Sequence, residues 1–170
     1  MDTSFDIYWK HKRRINHVLL AYISAGQCSL LFLISGIEKW VDNGHFYVII
    51  QNEPLLKEFA DFFTLFIPTL ELVIAVLIII PSTRFLGLTL FYLLMMLFTI
   101  YTLYLMLAMN RLPCGCNFMI RHVGAMGHMV INGLFILIAV YAYSILIQKK
   151  WDEEDKRARR SKVDEFKFNH

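Results

Sequence analysis

The sequence predicts an all-α integral membrane protein, a bundle of four transmembrane helices. Three observations predict it. Of 170 residues, 57% are hydrophobic and only 18% charged, and the mean hydropathy of +0.50 is too apolar for a soluble domain of this size. The apolar residues gather into four runs, at 17–37, 63–80, 85–109 and 124–147, each of roughly 18 residues or more, enough to cross a bilayer. The runs are continuous rather than alternating, and because lipid offers no partners to backbone polar groups, continuous runs of this length must be helices.

The first run follows a basic arm, residues 1–16, which contains Lys10, Lys12, Arg13 and Arg14 and places Tyr8 and Trp9 at the membrane interface. It is too long for a cleaved leader, and it ends in Ser35-Gly36-Ile37-Glu38-Lys39-Trp40 rather than a small-residue cleavage site. It is therefore read as a retained span. Gly26 and Ser29 are small enough for close helix contact, and Cys28 reads as a small packing residue.

Between Trp40 and Phe62 the chain mixes Asp42, Glu53, Glu58 and Asp61 with many apolar residues. Leu55, Leu56 and Phe59 at helical spacing predict an amphipathic segment after Pro54, lying on the outer surface, capping the bundle, or closing as a lid over the cysteine-bearing loop between the third and fourth spans.

The second span contains Glu71, the one charge clearly inside an apolar run. An intramembrane carboxylate is costly and faces the bundle interior with a partner, which makes Glu71 a functional candidate. Counting depth along each helix brings Lys39, Tyr101, Thr102 and His128 to comparable levels, so Glu71, His128 and one of the others are expected to form a buried polar cluster. The turn Pro81-Ser82-Thr83-Arg84 makes the second and third spans antiparallel neighbours. Tyr92, Met95, Met96 and Tyr101 give the third span a surface suited to packing, lipid or a quinone. The tail, residues 148–170, interleaves acidic and basic residues and reads as a solvated helix continuing the fourth span.

Charge sets the orientation. The arm, the turn at Arg84 and the tail carry thirteen of the 17 Lys and Arg, leaving Lys39, Lys57, Arg111 and Arg121 on the other side. The positive-inside rule then places both termini in the cytoplasm and the amphipathic segment outside. The net charge of +3 is largely this flanking charge, which suits anionic lipid heads and requires no nucleic acid.

The remaining feature is Arg111-Leu112-Pro113-Cys114-Gly115-Cys116, between the third and fourth spans. On this topology Cys114 and Cys116 face the periplasm or exterior of the cytoplasmic membrane, where disulfides persist. A pair one residue apart closes a small ring, and an exposed strained disulfide suits exchange chemistry. Arg111 and Arg121 add positive potential that favours a thiolate. A purely structural disulfide is the alternative, and so short a loop would stabilise little. A Cu(I) site is the third reading, with Met119, His122, Met126, His128 and Met129 following the cysteines.

Ser35-Gly36-Ile37-Glu38-Lys39-Trp40, Pro68-Thr69-Leu70-Glu71-Leu72, and Cys114-Gly115-Cys116 followed by His128 and Asn132 together resemble the MauE branch of the MauE/DoxX redox-associated membrane proteins. The resemblance covers about His17 to Ile147 and departs at Asn117-Phe118, where Phe-Gly is expected. It implies a four-helix membrane bundle, a part in maturing a disulfide-rich periplasmic enzyme, and links to sulfur or quinone redox chemistry. On that basis the expected function is a thiol-disulfide redox protein. Cys114 and Cys116 would be catalytic, with Glu71, His128, Lys39, Arg121 and Asn132 in support. The partner would be an extracytoplasmic thioredoxin-like or client protein, with quinone a candidate electron carrier. The competing expectation is a non-enzymatic assembly subunit of a membrane complex.

Overall fold

A computed structural model describes residues 3–109 and 124–168. Among these the chain is helical, without strands, and runs α1 (Thr3–Val41), α2 (Asn43–Asn52), a 3₁₀ turn (Lys57–Phe59), α3 (Ala60–Ile79), α4 (Arg84–Met109) and α5 (Gly124–Phe168). Four segments are long and apolar enough to span a membrane: Asn16–Val41, Lys57–Ile79, Arg84–Leu107 and Met129–Ser161.

The four long helices form a ring in which α1 packs on α3, α3 on α4, α4 on α5 and α5 on α1, with α1 and α4 on a diagonal. Each helix is antiparallel to the next, so both termini lie at one end of the bundle. The opposite end, called distal below, carries α2 and the ends of α4 and α5 at Met109 and Gly124. The core joins all four helices through Cys28, Phe32, Ile74, Phe91, Met95 and Ala142. Across the diagonal Phe32 and Phe91 meet with ring centroids 4.4 Å apart, a tilted aromatic contact that draws α1 toward α4.

Side chains tie off the terminal end. The guanidinium of Arg84 donates to the carbonyls of Ile78 at 3.0 Å and Ile79 at 3.2 Å, which satisfies acceptors left open at the end of α3. Arg84 also stands over the ring of Tyr22 at 4.9 Å, and Lys149 over the same ring at 5.2 Å. Gly87 is required where α4 leaves this turn, because a Cβ there would come within 2.7 Å of the backbone nitrogen of Ile78.

Two helices outrun their apolar segments. The basic arm is continuous with α1 from Thr3, and α5 continues past Ile147 to Phe168. The α5 extension is exposed over 150–161 and laced by i,i+4 pairs such as Arg159 with Asp155 at 2.9 Å.

The connector helix departs from expectation in position. The sequence places an amphipathic segment after Pro54, whereas α2 lies before it. Glu53 adopts extended backbone, φ −86° and ψ 123°, as the steric demand of a following proline requires, and this ends α2. The buried face of the connector is formed by Phe46 and Ile50, packed with Ala60, Leu56, Phe63 and Ile67. Leu55 and Phe59 are exposed.

Candidate functional site

At the distal end of the α1–α3 seam three polar side chains close into one group. Ser35 and Lys39 are one turn apart on α1 and share a face. The ammonium of Lys39 donates to Glu71 Oε1 at 2.6 Å, to Glu71 Oε2 at 2.8 Å and to Ser35 Oγ at 2.6 Å. The Ser35 hydroxyl in turn donates to Glu71 Oε2 at 3.0 Å. Side-chain exposure is 10% for Lys39 and 1% for Glu71, so both charges are withdrawn from solvent. Such a pair survives burial only when its geometry is good and further hydrogen bonds satisfy the remaining polar atoms, which the serine supplies here.

The backbones approach closely enough for this because of Gly36. A Cβ at that position would meet Leu72 Cγ at 2.9 Å and the carbonyl oxygen of Pro68 at 3.1 Å. Further along the seam Ser29 donates to the carbonyl of Ala75 at 2.9 Å. Of the two small residues singled out on α1, Ser29 makes a helix contact within the chain, while Gly26 lies on the exposed face with nothing within 4 Å of a Cβ built there.

α2 covers the group. The ring of Phe46 lies 5.7 Å from Lys39 Nζ, a cation–π contact in a site withdrawn from water. Just past the end of α2, the carboxylate of Glu53 accepts a 2.7 Å hydrogen bond from the hydroxyl of Tyr101 on α4. The connector is thus held on both sides of the distal end, over α3 by apolar packing and to α4 by this bond.

α5 adds Asn132, 5% exposed, whose Nδ2 has no hydrogen-bond partner among the described residues. Its depth is about 12 Å from the start of α5 at 1.5 Å per residue. Thr102 is buried on α4, about 10 Å from the distal end of that helix at 1.5 Å per residue. Each of the four spans therefore contributes a buried polar residue to the interior of the bundle: Ser35, Glu71, Thr102 and Asn132.

Depth counting groups Glu71 with His128 and one further residue. The partner of Glu71 is Lys39, with the ammonium turned inward, and Tyr101 donates to Glu53. His128 belongs to α5, but its side chain lies outside the described residues. So do Cys114, Cys116 and Arg121, together with Met119 and His122 of the Cu(I) reading. No cluster of three metal-ligating His, Cys, Asp or Glu occurs among the described residues. Ser35, Phe46 and Glu53 were not singled out from the sequence as parts of the site. Ser35 carried a usable signal, since it stands one turn before Lys39.

The family model for methylamine utilisation protein MauE matches residues 16–145. The chain belongs to the MauE family. The match covers the first three spans and reaches into the fourth, and so takes in both partners of the ion pair, Lys39 and Glu71, as well as Asn132. No curated protein and no solved structure matches the chain. With four spanning helices, this MauE-family protein is a multi-pass membrane protein in contact with lipid.

Proposed function

We propose that this MauE-family chain is a membrane thiol-disulfide redox protein. Its Cys114/Cys116 pair exchanges disulfides with an extracytoplasmic thioredoxin-like or client protein, supporting maturation of a disulfide-bearing client. The reading rests on one coincidence of placement. Met109 and Gly124, between which the Cys-Gly-Cys connector runs, stand at the same end of the bundle as the Lys39–Glu71 group and its α2 cover. A redox loop needs a rigid base, and the ion pair, the Phe46 contact and the Glu53–Tyr101 bond supply one.

The chemistry is a balanced exchange. One cysteine thiolate attacks a sulfur of the partner's disulfide and forms a mixed disulfide, releasing the partner's other sulfur as thiolate. The second cysteine of the pair, as thiolate, then displaces the partner. The partner leaves as a dithiol and Cys114–Cys116 remains as a disulfide; the reverse sequence oxidises the partner. Cys28 takes no part, being buried in the core of α1.

The buried ion pair also favours a second reading, an assembly subunit whose disulfide is structural, because a Lys–Glu group at a helix seam is a device for holding helices together. Thiol trapping separates the two. With Cys116→Ser, exchange predicts a mixed disulfide between Cys114 and a partner, released by reductant. A wild-type pair that is always oxidised, with no adduct on either single-cysteine variant, rejects exchange and leaves the assembly role.

A further inference from the structure

The exposed face of α1 contains a residue that a lipid-facing surface does not ordinarily carry. Gln27 is exposed, and it sits near the middle of the span Asn16–Val41, roughly 16 Å from one end and 21 Å from the other at 1.5 Å per residue. Its side chain is too short to reach either interface. Elsewhere the lipid-facing hydroxyls are satisfied on their own helix: Thr69 donates to the Leu65 carbonyl at 2.6 Å and Thr89 to the Phe85 carbonyl at 2.9 Å. Gln27 makes no such bond among the described residues. An amide left in hydrocarbon without a partner is costly, and polar side chains within spans are used to join helices.

Its neighbours on that face fit a helix contact. Gly26 presents open space above its Cα, so a second backbone can approach closely, and Ile23, Leu30 and Ile34 continue the stripe at helical spacing, each about half exposed. We propose that this stripe is the interface of a homodimer in which α1 packs against α1 of a second copy. A second copy is the occupant that the residue itself selects. Copies inserted in the same orientation pair about a two-fold axis along the membrane normal, which brings Gln27 opposite Gln27 at equal depth. An amide carries both donors and an acceptor, so two of them satisfy each other. The surface is distinct from the α3 and α5 faces of α1, and the ion pair remains within each protomer.

The test is resonance energy transfer between full-length copies bearing donor and acceptor fluorophores at the C-terminus, reconstituted in phosphatidylcholine–phosphatidylglycerol vesicles over a range of protein densities. Wild type associates well above chance proximity. Gln27→Leu shifts half-association to about tenfold higher density, whereas Gln27→Asn, which keeps the amide, stays near wild type. Gly26→Ile weakens association by steric separation. Thermal midpoints of the variants confirm that each protomer remains folded, as expected for changes on an exposed face. Transfer at the chance level for wild type, or unchanged association in folded Gln27→Leu, overturns the proposal; the first result would leave a different protein's helix as the occupant of this stripe.

Discussion

Lys39 and Glu71, 32 residues apart in the chain, are joined by two hydrogen bonds of 2.6 and 2.8 Å beneath α2. The relationship makes the two residues unequal to their separate mutations. Removing one partner leaves a buried, uncompensated charge, at a cost of about 3–5 kcal/mol, whereas replacing both by apolar residues removes the desolvation penalty along with the attraction. Lys39→Met and Glu71→Leu are each expected to lower the thermal midpoint strongly in detergent or nanodiscs. The double variant is expected to recover most of the loss. A double variant as unstable as the sum of the singles would show that the pair is not acting as a unit.

Gly36 carries the same seam by a different means. Leu72 and the Pro68 carbonyl leave no room for a side chain there, so Gly36→Val forces α1 and α3 apart and is expected to cost about 1–3 kcal/mol. Because the separation also lengthens the Lys39–Glu71 contact, the loss should exceed that of the same change at Gly26, where a Cβ meets nothing within the protomer. Thermal unfolding of the two variants side by side measures the difference.

These two glycines show how far the sequence reads and where it stops. The four spans are legible because a bilayer demands long continuous apolar runs, and Glu71 is legible because it is the lone charge within one. Its partner is not, since Lys39, Tyr101, Thr102 and His128 lie at similar depths and depth says nothing of rotation about the helix axis. The same rotation separates Ser29, which turns toward Ala75, from Gly26, which turns outward. Pro54 is ambiguous in another way. Proline starts helices and also stops them; the spacing of Leu55, Leu56 and Phe59 favours a start, but the burial of Phe46 and Ile50 against Ala60 makes it a stop.

Glu53 and Tyr101 fasten α2 to α4, and a neutral phenol donating to a carboxylate is worth about 1.5–3 kcal/mol. Tyr101→Phe keeps the ring and removes the bond. Its expected effect is local, with faster amide hydrogen exchange over Asn43–Asn52 and little change in the protected core of α3 and α4. If α2 supports the cysteine connector, the same variant slows formation of the mixed disulfide at Cys114 in the Cys116→Ser background. Unchanged exchange over α2 would remove this bond from the account of the lid.

Asn132 gives the sharpest test of the buried polar residues, because its Nδ2 is buried with no partner among the described residues. An unsatisfied buried donor costs about 1–3 kcal/mol, and replacing it by an apolar group of similar volume relieves that cost. Asn132→Leu is therefore expected to raise the thermal midpoint of the isolated protein. A stabilised variant that forms the Cys114 adduct as fast as its parent makes the amide a tolerated burden. A stabilised variant that loses the adduct assigns Asn132 to function, since stability is then given up for a group that folding does not need. A lowered midpoint means that the amide has a partner beyond the described residues, whose loss outweighs the relief of desolvation.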